Sequence, residues 1–279
     1  MAFRGSLALI AAALSLFATA HAQSVTPSSL RADPFSALVG KRKPAAERVA
    51  DQAGVERYVI ATDDRVFLFQ SSDGEGRLKF LCGDRDPRLS CVIDGVTPAE
   101  EIYALSASRV SRGDVIWRNI EGDTLLRIAA YGGVTVFWPG DARAHAASKS
   151  FGEDPPLTLD FATLETARNR AQTATALISA KVGAPIVFEI GDPGEDAAGG
   201  SSVLADAVVR AADGLASVAE DPPGARGIAA RIRHIRFRPM TGPSLGMEKD
   251  ALTIGYNPSG DIAGRPSSAR VEQFLEESL

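Results

Sequence analysis

"RYVIATDDRVFLFQSSDGEGRLKFLC", residues 57–82, decides the fold. Three runs rich in Val, Ile, Phe and Leu (57–62, 65–70 and 77–82) are separated by Thr62-Asp63-Asp64 and by Asp73-Gly74-Glu75-Gly76. β-Branched and aromatic residues suit a pleated surface, and Asp/Gly clusters suit tight turns. Breaks this short join antiparallel neighbours, because a parallel connection needs a dozen or more residues. The middle run is apolar at four successive positions, Val66 to Phe69. Both faces of that strand are therefore expected to be covered.

The same signal continues through "CVIDGV" (91–96), "EIYALSASRV" (101–110), "DVIWRN" (114–119), "TLLRIAA" (124–130) and "VTVFWP" (134–139). This is a meander that folds into a sandwich or a partly open barrel. Small, polar and Pro residues make 140–156 linker-like. Beyond it, 160–183 has Phe161, Leu164, Ala167, Ala171, Ala174, Leu177 and Ile178 at helical spacing, with Asp160 to cap it and Gly183 to end it. A strand (184–192), a second amphipathic helix (201–221), strands 230–240 and 251–258, and a terminal helix (266–279) follow. The fold class is thus α+β: an antiparallel β-rich half, 55–140, then an α-β-α-β-β-α layer, 157–279. In "RIRHIRFRP" (231–239) Ile232 and Ile235 cannot share a face of a regular strand, so a β-bulge near His234 is expected. Its arginines read as partners of acids such as Glu248 or Asp250, with a basic stripe for an anionic polymer as the alternative.

The N-terminus sets the compartment. Arg4, an apolar run over 7–17, and Ala20-His21-Ala22 form the three parts of a signal peptide, 1–22, cleaved after Ala22. The run is shorter than the roughly 20 residues a spanning helix needs. The mature chain is expected to be exported, most simply periplasmic, with no transmembrane segment. Residues 23–54 read as a mobile arm with a short helix over 44–54. The net charge is −5, which does not suit nucleic acid as a partner.

Cys82 and Cys91 are the only cysteines. In an oxidising compartment such a pair reads first as a structural disulfide, and second as free thiols. Turn formers lie between two strand-like runs, so residues 77–82 are expected to lie antiparallel to 91–96. Asp84, Asp86 and Asp94 are poor companions for thiolates in a metal site.

Other chemistry is thinly represented. "GPSLG" (242–246) matches a nucleophile-elbow string, but no histidine follows His234 and a strand-like run follows the serine. It reads as a hairpin loop. His145 and His234 lack zinc spacing. The loop 191–200 lacks a calcium pattern and a phosphate-binding Lys. No catalytic residue, metal ligand or cofactor is assigned. Two stretches offer a ligand site for a small anion or an envelope protein. In "GDIAGRPSSAR" (260–270), Pro266 starts a helix that Ser267 or Ser268 caps, so free N–H groups stand beside Arg265 and Arg270. The plainer reading is capping plus a salt bridge. In 111–139, Arg112, Asp114, Arg118 and Arg127 alternate with apolar residues, forming either a polar groove or cross-strand ion pairs.

"RGDVIWRN", "GD", "LLR", "YGG" and "TVF" in that stretch, followed late by "GRPSS", resemble the signature regions of a family of uncharacterised exported bacterial proteins, catalogued as a domain of unknown function. The resemblance spans about 55–275 and implies export but no chemistry. The first functional expectation is a non-catalytic binding or envelope-associated protein. The alternatives are a carboxylate-dependent hydrolase of an envelope polymer and a structural subunit of an envelope assembly. Convergence of two carboxylates in a cleft, one with a raised pKa, would favour the hydrolase.

Overall fold

The computed structural model describes residues 54–84, 86–95, 97–191 and 201–279. The signal segment, the arm and its helix, and nearly all of the loop 191–200 lie outside the described residues.

Eight strands form the first half: β1 Val55–Ile60, β2 Val66–Ser72, β3 Glu75–Phe80, β4 Ile102–Arg109, β5 Val115–Arg118, β6 Thr124–Ile128, β7 Val134–Phe137 and β8 Ala144–Ser150. Each pairs antiparallel with the next, and β1 pairs with β8, with Tyr58 opposite Lys149, so the barrel is closed. The expected meander is therefore a complete ring. The ring includes residues that read as a linker. "AHAASKS" has little β propensity, but it gains hydrogen-bonded neighbours on both edges, β7 and β1. Context of this kind overrides intrinsic preference.

Side chains fill the barrel. Inward positions alternate along the strands: Tyr58 and Ile60, Phe67 and Phe69, Leu78 and Phe80, Val115 and Trp117, Leu126 and Ile128. The Trp117 ring meets Phe69 edge-on, with centroids 4.9 Å apart. A Cβ at Gly76 would stand 2.8 Å from that indole, so the position admits only glycine without repacking. Leu68 points outward into a separate cluster with Ile102, Leu157 and Ile262. The expectation that both faces of β2 are covered holds.

The pairing expected between 77–82 and 91–96 does not occur. The position antiparallel to β3 is taken by β4, with Leu78 opposite Tyr103. Leu89–Cys91 is a 3-10 turn instead. The disulfide is nevertheless formed, with Cys82 and Cys91 Cα atoms 5.7 Å apart. It closes a loop rather than a hairpin.

The second half comprises α1 Leu164–Val182, β9 Val187–Ile190, α2 Ser201–Val218, α3 Pro222–Arg231, β10 His234–Pro239, β11 Ser244–Glu248, β12 Ala251–Tyr256 and α4 Ser268–Ser278. The sheet order is β11-β12-β10-β9, with β10 parallel to both neighbours and β11 antiparallel to β12. Two elements exceed the sequence reading. "PPGARGIAAR" is a helix, started by two prolines in its first turn behind Asp221. Ile232 caps its end, so it is not part of β10 and no bulge is required. "GPSLG" is half strand: Ser244 opens β11. Helix α1 is capped by Thr163, not Asp160, and ends at Gly183 with φ 73°. Phe161 precedes it and is exposed.

Helix α2 is buried on nearly every side, packed on α1, α4, β12 and the 3-10 turn. An all-round apolar helix belongs at the centre of a fold. At Gly214 an added Cβ would lie 2.7 Å from Ser268 O and from Val271 Cβ. That glycine lets α2 and α4 touch, and it brings the start of α4 against the charged face of α2.

Candidate functional site

Three charged residues stand on otherwise apolar α2: Asp206, Arg210 and Asp213. Their spacing puts them on one face. Buried charges must be paired. Arg210 is fully buried, with Nε 3.3 Å from Asp206 Oδ1 and Nη1 3.6 Å from Glu101 Oε2 and 3.5 Å from Asp213 Oδ2. Its Nη2 donates to the Ala99 carbonyl. Nε and Nη1 make ion pairs but no hydrogen bond of good geometry. Arg265 completes the cluster: Nε donates to Asp206 Oδ2 at 2.5 Å, Nη1 to Glu101 Oε1 at 3.4 Å and Nη2 to the Ile102 carbonyl at 3.0 Å.

Two guanidiniums thus face three carboxylates. For Asp206, burial pushes its pKa up, but the charges of Arg210 and Arg265 outweigh it and the net shift is down. For Asp213, desolvation prevails over Arg210 and over the backbone N–H of Ser90, and the pKa is raised. Asp213 Oδ1 accepts from that N–H at 3.0 Å. Burial likewise raises Tyr103, with the Glu101 charge adding to the effect.

The cluster changes the reading of the "GRPSS" segment. An anion does sit at the N-terminus of α4, and it is Glu101. Ser268 N donates to Glu101 Oε1 at 3.2 Å, and Ser268 Oγ donates to Oε2. Arg265 and Ser268 therefore bind the barrel to the helical layer. Ser267 caps α4 by accepting from Arg270 N at 3.0 Å, and its hydroxyl donates to Glu121 Oε1 at 2.6 Å. Arg270 is exposed, and its Nη1 donates to Gln273.

The residues singled out in 111–139 separate. Asp114 and Arg127 pair across β5 and β6, Nη2 to Oδ2 at 2.5 Å and Nε to Oδ2 at 3.1 Å. Ala130 N donates to the other Asp114 oxygen at 2.9 Å. Arg127, then Ala130 N, hold the Asp114 carboxyl below its usual range. Arg112 is exposed in the preceding turn. Arg118 lies at the opposite end of β5, against Thr124. It shares that end with the β5–β6 turn, residues 119–123, of which 119–121 meet the α4 segment.

Where those two segments meet there is a cleft of about 470 Å³. Arg265, Ser267, Arg270, Asn119, Glu121 and Gln273 give it polar groups, and Ile120, Leu245, Ile262 and Pro243 give it an apolar wall. A second cleft of about 550 Å³ lies across Tyr103, lined by Glu101, Asp213, Glu272, Ser90, Arg88 and Trp138 among others. Arg65 and Arg88 stand over the Trp138 ring, 4.5 and 5.6 Å from its centroid. Desolvation raises Glu272 despite the Ser217 hydroxyl it accepts from.

Sequence reasoning missed Glu101, Asp206, Arg210, Asp213 and Glu121. For α2 a signal was present: three charges at four- and three-residue spacing in a helix of Val, Ala and Leu. Among the described residues, Cys82, Asp86 and Cys91 come within metal-binding reach of one another, but both sulfurs are in the disulfide.

These features define an α+β protein, a filled barrel locked to an α/β layer, with surface clefts. The chain belongs to the family described as "Domain of unknown function (DUF4908)", whose model matches residues 34–275. The resemblance read from the sequence is borne out. Comparison with curated proteins and with solved structures found no match.

Proposed function

We propose that this is an exported, non-catalytic binding protein whose ligand occupies the 470 Å³ cleft between the β5–β6 turn and the start of α4. One observation carries the reading: Arg270 stands at a cleft with an apolar wall, and no carboxylate among the described residues pairs with it. Concave, part-apolar sites with a few convergent polar groups are where ligands bind. A guanidinium with no carboxylate partner among the described residues favours a ligand with an anionic group. Export is supported by the signal-peptide pattern and by the disulfide, which persists in oxidising compartments such as the periplasm. No helix among the described residues is long and apolar enough to cross a membrane. The test is a thermal-shift screen of the mature protein against small anions. A shift that vanishes in Arg270→Ala supports the reading; shifts that survive it place the ligand elsewhere. Arg265→Ala is unsuitable, because it would remove a partner from each of the buried carboxylates Asp206 and Glu101.

A second reading has its own support. Glu101 and Asp213 flank one nitrogen of Arg210 at the 550 Å³ cleft, and Asp213 is raised while it faces that cleft. A carboxyl with a raised pKa beside a second carboxylate is the arrangement a glycan hydrolase uses. Release of reducing ends from envelope polysaccharide, lost in Asp213→Asn, would favour this reading over binding alone.

A further inference from the structure

The cleft at α4 does not end at the β5–β6 turn. A neighbouring cavity of about 930 Å³ shares Ala104, Asn119, Ile120, Ile262 and Ala263 with it. The two form one groove that continues along the outer face of β3, β4 and β5 to the β2–β3 turn. Its floor on β4 is made by Ala104 and Ser106, whose small side chains leave a trench. A compact ligand would fill one end only.

The chemistry of the two ends differs. Arg270 and Arg118 lie at the α4 end and the middle, and neither pairs with a carboxylate among the described residues. Asp73 and Glu75 line the far end, while Arg77 there is already paired with Asp261 at 2.7 Å. Arginines without a carboxylate partner among the described residues thus stand toward α4, beside Glu121, and acids stand at the far end. Three features favour a polypeptide. Strand β11, which supplies Ser244 and Leu245 to the groove, has β12 on one side and, among the described residues, no strand on the other. Glu121 Oε2 is buried with no hydrogen-bond donor among the described residues, an acceptor suited to a peptide N–H. Ile120 stands 85% exposed at the middle of the groove, where an apolar side chain would cover it. Extended peptides are recognised in this way, by main-chain hydrogen bonds with alternate side chains in pockets.

Building on the binding reading, we infer that the ligand is a short extended peptide with a free C-terminal carboxylate at Arg270 and its amino end toward Asp73 and Glu75. The experiment is a titration with peptides of alternating Val and Ser, from two to eight residues, each with a free and an amidated C-terminus. Affinity rises with length until the groove is filled. Amidation weakens the longest peptide about tenfold, the loss of one charge-assisted contact. Arg270→Ala removes that difference, and Glu75→Gln weakens only the longer peptides. Both side chains are exposed, so both variants fold. If the dipeptide binds as tightly as the octapeptide and Glu75→Gln has no effect, the extension along the barrel is wrong while the α4 cleft stands. If oligomers of N-acetylglucosamine bind in an Arg270-dependent way and no peptide binds, the peptide assignment is wrong and the cleft stands. If every probe binds equally to wild type and Arg270→Ala, both readings fall.

Discussion

The Ser267 hydroxyl donates to Glu121 Oε1 at 2.6 Å, joining positions 146 residues apart. The same oxygen accepts from Arg270 N, so one side chain both caps α4 and holds the β5–β6 turn. Ser267→Ala removes the cap and the tie together. The expected loss is about 1–2 kcal/mol, measured by urea denaturation. Hydrogen exchange should also quicken in residues 119–123, which a lost cap alone would not cause.

Arg265 has three acceptors on two segments, Asp206 on α2 and, at the start of β4, Glu101 and the Ile102 carbonyl. Arg265→Ala leaves carboxylates buried with too few partners, at a cost of about 3–5 kcal/mol. Arg265→Lys restores the charge but not the planar fork, so it should recover only part of this. Full recovery by Lys in chemical denaturation would show that charge alone matters.

The Asp213 carboxyl has a pKa raised above that of an unfolded chain, chiefly by desolvation. Such a group contributes stability that is fully present below the unfolded value, about 3.9, and is lost as pH rises through the folded value. Asp206, lowered by Arg210 and Arg265 against its burial, contributes in the opposite sense: its stability is present above about 3.9 and lost as pH falls through its folded value. Asp213→Asn keeps an acceptor for Ser90 N and removes the ionisation. Wild type should therefore lose stability relative to Asp213→Asn as pH rises from about 4 toward neutrality. Parallel curves of melting temperature against pH would refute this.

The disulfide bounds a loop whose Ser90 N–H reaches Asp213 on α2. Replacing both Cys82 and Cys91 by Ser is expected to cost roughly 2–3 kcal/mol, as for a short closed loop. Urea midpoints with and without reductant check it. Reductant should shift wild type and leave the double variant unmoved.

Much of the barrel was legible because Val, Ile, Phe and Trp recur between Asp/Gly turns. Strand β8 was not: His145, Ser148 and Lys149 carry no strand signal, and the segment is extended because β1 and β7 offer it hydrogen bonds. Helix α3 was hidden behind Pro222 and Pro223, which start a helix as readily as they break one. The cysteines announced a bond but not its geometry, since which strand lies beside β3 depends on Ile102–Arg109 further along. At the site, the cap of α4 and the neighbouring arginines were readable. Which anion they hold was not, because Glu101 arrives from 167 residues away. Local sequence shows what a helix end attracts, and tertiary structure decides what reaches it.

The pairing of β1 with β8 places the first strand of the ring beside the last. A chain that emerges from its N-terminus offers β1 only one partner, β2, until Ala144–Ser150 follows. Closure is a long-range contact and therefore slow. If the protein is exported as a thread, in line with the export we propose, late closure is useful. The ring cannot lock while a segment needed to complete it is still inside.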